Sequence, residues 1–250
     1  TISGLDAVLF EKTDGASVSN LTIEGTTLTQ NTQKGALSND IRHSVVTDIR
    51  VKDLAINNDT NQTGGLAGTI ADSEIRRISV ENISIRSNNT MGGIAGQFDG
   101  KIMEDCVVSG SIEGTSVHPM GVRAGGITGW QGGGTIRRVV TKVNITAPAP
   151  VGNGGIIGGP QSGSAAVESA VSLSTGANAN RISGWDVLGM SSSAYELETS
   201  DSHSSMNDTN ADRIFAVTEE QAKEKAFYTE TLGWSEDVWN FDSIAADGIP

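Results

Sequence analysis

One string recurs along this chain and restricts its fold more than any other feature. It is Gly-Gly-apolar-x-Gly, in copies that begin at Gly64, Gly92, Gly125 and Gly154. The first glycines are spaced by 92 − 64 = 28, 125 − 92 = 33 and 154 − 125 = 29 residues. Two weaker copies, Gly35-Ala36-Leu37-Ser38-Asn39 and Ala7-Val8-Leu9-Phe10, continue the series upstream. A second pattern, apolar-x-x-apolar-x-apolar, keeps phase with it in Val18/Leu21/Ile23, Val46/Ile49/Val51 and Ile75/Ile78/Val80. It then restarts in weaker form at Ile102, Ile136 and Val167. The i, i+2 step with β-branched residues is strand spacing, and the i, i+3 step before it sets a corner between two inward-pointing residues. In the fourth copy the inward pair reads as Cys106 and Val108, one residue late, which predicts a bulge.

A unit of strands, corners and one glycine-rich turn cannot bury its apolar face alone, but stacked units can. One coil per repeat of about 30 residues predicts an all-β fold, a parallel β-helix. Right-handedness follows from the usual hand of parallel β crossovers. A leucine-rich repeat lacks its Leu and Asn pattern here, and a propeller blade of about 40–45 residues is too long. The expected architecture is about six coils over residues 1–184, followed by a C-terminal cap over 185–250. At about 4.8 Å per coil the stack is about 30 Å long.

Stacking also predicts a charge column. Two positions after the first apolar residue of each coil stand Asn20, Asp48, Arg77, Glu104, Arg138 and Ser169. Its middle four members alternate in sign, so a slipped register would place like charges together. The alternative is a chance run of solvated charges. Arg77 and Glu104 on one face is the test.

The cap announces itself by composition. Eight of the 11 aromatics fall at Trp185 or later, and residues 195–250 carry 13 acidic against three basic side chains. Ser191 to Asn210 reads as a loop. Thr218 and Gln221 form a capping box, with Glu219 and Glu220 suited to the positive helix start. A helix from Glu219 to about Phe227 should turn Ala222, Ala226 and Phe227 inward. Trp234 and Trp239 are expected to anchor a plug over the last coil.

The same arithmetic excludes several functions. With 30 acidic and 17 basic residues the formal charge is −13, which argues against nucleic acid, whose binding rests on Lys/Arg neutralisation. No apolar run approaches the ~18–20 residues of a membrane span, so no membrane insertion is expected. The lack of an initiating Met and of a signal-peptide pattern reads as a piece of a longer protein. Cys106 stands alone, which rules out an internal disulfide and a multi-cysteine zinc site; its inward position predicts a packed thiol.

No catalytic, cofactor-binding or metal residue is assigned. His43, His118 and His203 lie far apart and none belongs to His-Glu-x-x-His. The glycine turns recur in every coil, which favours a corner over a phosphate cradle. Asp208-x-Asn210-x-Asp212 with Glu219 imitates a calcium loop, but Arg213 stands where a sharp turn wants glycine. Asn57-x-Asp59-x-Asn61 lacks a closing carboxylate, and His203 beside Asp201 reads as a solvated loop histidine.

Gly-Gly-Ile-Ala-Gly and Gly-Gly-Ile-Thr-Gly resemble the GLUG repeat of large Gram-positive surface proteins. The run from Phe227 through Trp234 and Trp239 to Phe241 is similar to the region before the catalytic domain in streptococcal immunoglobulin A proteases, a zinc metallopeptidase family. The resemblance implies a secreted, cell-wall-associated endopeptidase as parent, with zinc held by a downstream His-Glu-x-x-His absent here. This chain would then be a non-catalytic module, with the host immunoglobulin A heavy chain and the parent's catalytic domain as its partners. Two other readings stay open: a repeat segment of an adhesin, and a polysaccharide-active β-helix.

Overall fold

The computed structural model describes residues 1–116, 122–147, 150–160, 165–176, 182–184, 193–198, 213–242 and 244–250. Its strands pair in parallel throughout, forming three sheets that wind into a β-solenoid. The longest sheet stacks Ser17–Glu24, Val45–Lys52, Glu74–Ser87, Ile102–Gly114, Gly134–Thr146 and Ala165–Ser172 as six rungs. Five turns of chain separate them. A second sheet stacks Phe10–Asp14, Ser38–Arg42, Ala67–Ala71, Ala95–Asp99, Thr128–Gln131 and Ile157–Pro160. A third stacks Gln62–Gly64, Thr90–Gly92, Val122–Gly125 and Pro150–Gly154.

The register follows the repeat. Val18, Val46, Ile75, Met103, Ile136 and Val167 lie one above another. The fourth rung therefore starts its pattern at Met103, which is fully buried, and Ile102 is partly exposed. Cys106 sits over Ile78 and Val108 over Val80 in unbroken register, so the expected bulge at that point is absent. Methionine is simply the apolar residue that begins this rung. An irregularity does occur just beyond, where Glu81 and Asn82 stand between Val80 and Ile83 while Ser109 alone separates Val108 from Gly110. The fourth rung thus lacks one corner residue.

The predicted corner is present in every rung. Asn20, Asp48, Arg77, Asp105, Arg138 and Ser169 all have left-handed backbone, with φ between 47° and 57°. One residue in that conformation lets both Val46 and Ile49, three apart, point into the core. Asn and Asp tolerate it through local hydrogen bonding, whereas an arginine carries strain.

The recurrent glycines have a different cause from the corner geometry expected of them. None of Gly64, Gly65, Gly92, Gly93, Gly125 or Gly126 has left-handed φ. They are required by space. A Cβ on Gly65, Gly93 or Gly126 would lie 2.2, 2.2 and 2.0 Å from the carbonyl oxygen of Gly93, Gly126 and Gly155 in the next coil. The same Cβ would press on Val80, Val108 and Thr141 of the long sheet. The turn is thus driven into the interior, where the following Leu66, Ile94, Ile127 and Ile156 are fully buried.

Beyond the sixth rung, Ala194–Leu197 and Ile214–Val217 extend the long sheet. The capping box forms as expected: the Gln221 backbone N–H donates to Thr218 Oγ1 at 3.1 Å, and the Thr218 N–H donates to Gln221 Oε1 at 2.9 Å. The helix is shorter than expected, Glu219–Ala222, and the chain resumes as a π-helical turn over Phe227–Thr231. The wider turn swings Tyr228 into the core and leaves Ala226 exposed, reversing the expectation for that alanine. The loop expected over Ser191–Asn210 is contradicted where it is described, because Ala194–Leu197 pairs as a strand; residues 191–192 and 199–210, and Trp185, lie outside the described residues.

The aromatic segment does not plug the last coil; it lies along the outer face of the long sheet. Its Tyr228, Trp234, Trp239 and Phe241 pack in one buried cluster with Val140 and Val171 of the fifth and sixth rungs. The cause is a change in one outward column, which runs Thr22, Arg50, Ser79, Val107, Val140, Val171, Tyr195, Phe215. The column turns from polar to apolar midway. Burying that stripe needs a partner, and the aromatics supply it. Trp234 and Trp239 stack with ring centroids 4.5 Å apart, and Trp234 Nε1–H donates to Ser169 Oγ at 2.8 Å.

Candidate functional site

The charge column is real and its fourth member is Asp105 instead of Glu104. Arg77 donates to Asp48 through Nε at 2.6 Å and Nη2 at 2.8 Å. Arg138 grips Asp105 in the same two-pronged way, at 2.6 and 2.8 Å. Each arginine in a left-handed corner is therefore held by an aspartate one coil earlier. Bidentate geometry of this kind offsets backbone strain better than a single contact. Arg77 holds the Asp48 carboxyl below its ordinary value.

Glu104 occupies the neighbouring column, between Arg76 and Arg137. Its side chain is 8% exposed and meets three guanidinium groups: Arg76 Nε at 2.7 Å, Arg137 Nη2 at 2.6 Å and Arg138 Nη2 at 2.7 Å. Burial pushes this carboxyl up, but the hydrogen bonds from Arg137 and Arg138 outweigh it and hold it below the usual value. A carboxylate so enclosed is an ionic tie between three coils. It is not poised to exchange a proton at neutral pH, which general acid–base chemistry requires.

The remaining sequence candidates resolve in the same direction. Cys106 is fully buried, its thiol donates to the Glu104 carbonyl at 3.1 Å, and burial pushes it far above the usual thiol range. His43 is exposed at a left-handed corner, with Nδ1 2.9 Å from Asp14 Oδ1 and Nε2 3.7 Å from Asp72 Oδ2. Lys12 and His43 together lower the Asp14 carboxyl to about 2. Asn57, Asp59 and Asn61 are exposed, and Asn57 Oδ1 accepts from Arg86 Nη1 at 3.3 Å. His118, His203, Asp201, Asp208, Asn210 and Asp212 lie outside the described residues, and Glu219 is engaged at the start of its helix. Among the described residues, no three His, Cys, Asp or Glu side chains gather as a metal site.

Two surface features escaped the sequence reading. Arg123 lies over the Trp130 ring at 4.8 Å, a cation–π pair on the outer side of the glycine turn. Beside it Gln97 Nε2 donates to Asp99 Oδ2 at 2.5 Å. The second feature is a cavity of about 220 Å3 at the seam between the coils and the helix Glu219–Ala222. Its apolar lining includes Leu173, Leu197 and Ala222, and Lys142 and Lys223 also line it. The missing corner residue of the fourth coil foreshadows this hollow, since Gly110 forms part of its wall.

Comparison with known proteins adds no relative: no protein-family model, curated protein or solved structure matches this chain.

Proposed function

We propose that the chain is a non-catalytic β-helix module of a secreted, cell-wall-associated zinc metalloendopeptidase that cleaves host immunoglobulin A. In this reading it acts as a rigid scaffold and offers a docking surface to the antibody heavy chain and to the parent's catalytic domain. The observation that carries the proposal is the uninterrupted stack of six rungs, tied by core columns and by the Asp48–Arg77 and Asp105–Arg138 clamps. Such a stack resists bending and holds whatever is attached at a fixed distance. Five steps of about 4.8 Å give a body about 24 Å long between the first and sixth rungs. The family resemblance supplies the identity of the parent.

Zinc does not fit the residues described here. His43 meets Asp14 and Asp72 through opposite ring nitrogens, at 2.9 and 3.7 Å, so these three side chains do not converge on one point. The metal is assigned to the parent's downstream domain, and no step through it involves this chain.

The test is binding of the purified 250-residue chain to human immunoglobulin A heavy chain, with a gel alongside to detect cleavage. Binding without cleavage is the expected result. Failure to bind at about 10 μM would remove the docking role and favour the adhesin reading. Cleavage that persists after removal of trace contaminants would overturn the non-catalytic assignment.

A further inference from the structure

The first coil of the solenoid presents an open face. In the second coil the inward side chains Leu37, Val46 and Ile49 are at most 1% exposed, because a coil lies on either side of them. Their counterparts in the first coil, Leu9, Val18 and Leu21, pack on the same core and remain partly exposed. Phe10, whose partner Ser38 is fully buried, is 43% exposed.

Strand edges are open at the same face. Ile2–Ser3 pairs with Ile23 and Glu24 alone, so Ser17–Leu21 has a strand on one side only, Val45–Lys52. Phe10–Asp14 pairs with Ser38–Arg42 and, among the described residues, with no other strand. The Ala16 carbonyl accepts from the Val45 N–H, and the Ala16 N–H donates to Ser44 Oγ, both in the second coil. Backbone groups alternate in direction along a paired strand, so those of Ser17 and Ser19 turn to the open side.

Two free edges flanking apolar side chains are a template for another chain. A small apolar ligand would cover the side chains and leave the edge amides and carbonyls unpaired. A single added strand would pair with one edge and leave the other. The occupant that answers both carries two free edges around an apolar centre of its own, and the same face of a second copy has that form. A two-fold axis across the face would set the edges of the two copies antiparallel and extend the backbone ladder that already joins coil to coil. Such a contact closes at two, the commonest symmetry of soluble oligomers.

We propose that the chain forms a two-fold dimer through the open face of its first coil, with Leu9, Phe10, Val18 and Leu21 at the centre of the interface. The proposal does not depend on the identity of the parent protein.

Sedimentation of the 250-residue chain from about 1 to about 100 μM tests it. The mean mass should rise from that of one 25.9 kDa chain to twice that value and stop there. The amides of Ser17 and Ser19 should gain protection from hydrogen exchange as concentration rises. Phe10→Glu should raise the dissociation constant at least about tenfold. Ser19→Pro, which removes an N–H facing the open side, should do the same with the circular dichroism spectrum unchanged. Phe215→Glu is the control, since that ring is 44% exposed at the other end of the long sheet, and it should leave association intact. A monomer at every concentration, growth beyond two copies, or a dimer lost with Phe215→Glu and kept with Phe10→Glu would each overturn the proposal.

Discussion

Gly65→Ala isolates the physical reason for the repeated glycines. The added methyl would sit 2.2 Å from the Gly93 carbonyl oxygen and 2.6 Å from Val80 Cγ1. That same oxygen accepts the Gly65 N–H at 3.1 Å. The methyl thus forces apart two coils at the point where their backbones are joined. Overpacking in a close-packed interior costs about 1–3 kcal/mol, and weakening the inter-coil hydrogen bond adds about 0.5–1.5 kcal/mol. The expected loss is therefore about 2–4 kcal/mol, a fall in melting temperature of roughly 5–15 °C for a chain of this size. The control is Gly133→Ala, where a Cβ meets nothing within 4 Å and φ is not left-handed. That change should be neutral or stabilise by up to about 1 kcal/mol, through the unfolded chain.

Both variants would be followed by urea unfolding, with circular dichroism and tryptophan fluorescence compared, since stacked coils can depart from two-state behaviour. Gly65→Asn separates space from backbone conformation. A left-handed site accepts asparagine better than alanine, whereas a crowded site penalises the larger side chain at least as much. Stability of Gly65→Asn above that of Gly65→Ala, or equal melting of Gly65→Ala and Gly133→Ala, would refute the steric explanation.

Three further outcomes are expected. Glu104 has a lowered folded value, so its contribution is present above the ordinary carboxylate range and is lost as pH falls through the folded value. Thermal melts from about pH 7 to about pH 3 should therefore decline in the wild type and decline less steeply in Glu104→Gln; parallel curves would exclude Glu104 as a source of acid sensitivity. Trp234→Ala removes a ring that is 3% exposed, its stack on Trp239 and its bond to Ser169. It should cost about 3–5 kcal/mol, with fluorescence melting ahead of circular dichroism because the aromatic segment lies beside the coils; unchanged melting would contradict its burial. Cys106 should resist a thiol reagent in the native state and react after denaturation, and rapid native labelling would refute its packing in the core.

Much of the fold was legible because stacking turns a linear period into a spatial column. Once Val18, Val46 and Ile75 share a phase, the parallel pairing, the inward faces and the position of the corner follow from spacing, while its left-handed backbone is seen only in the structure. The one misplaced column member, Glu104 for Asp105, came from starting the fourth coil at Ile102 when Met103 carries the inward position. A one-residue slip of that kind changes which carboxylate faces which arginine. The helix length was misjudged because alanines at 222 and 226 mimic a continuous apolar face, while packing favours a wider turn that buries Tyr228.

The candidate site was not legible, and the reason is geometric. Its walls come from residues near 110, 142, 173, 197, 222 and 248, which no local pattern connects. The sequence by itself determined the coil, its repeat length, its core columns and the need for an aromatic cover, because each is set by periodicity or composition. Tertiary structure alone decided where that cover lies. An apolar stripe through Val107, Val140 and Val171 draws the aromatics onto the side of the sheet, since area is buried wherever uncovered apolar surface is largest and not where the chain happens to end.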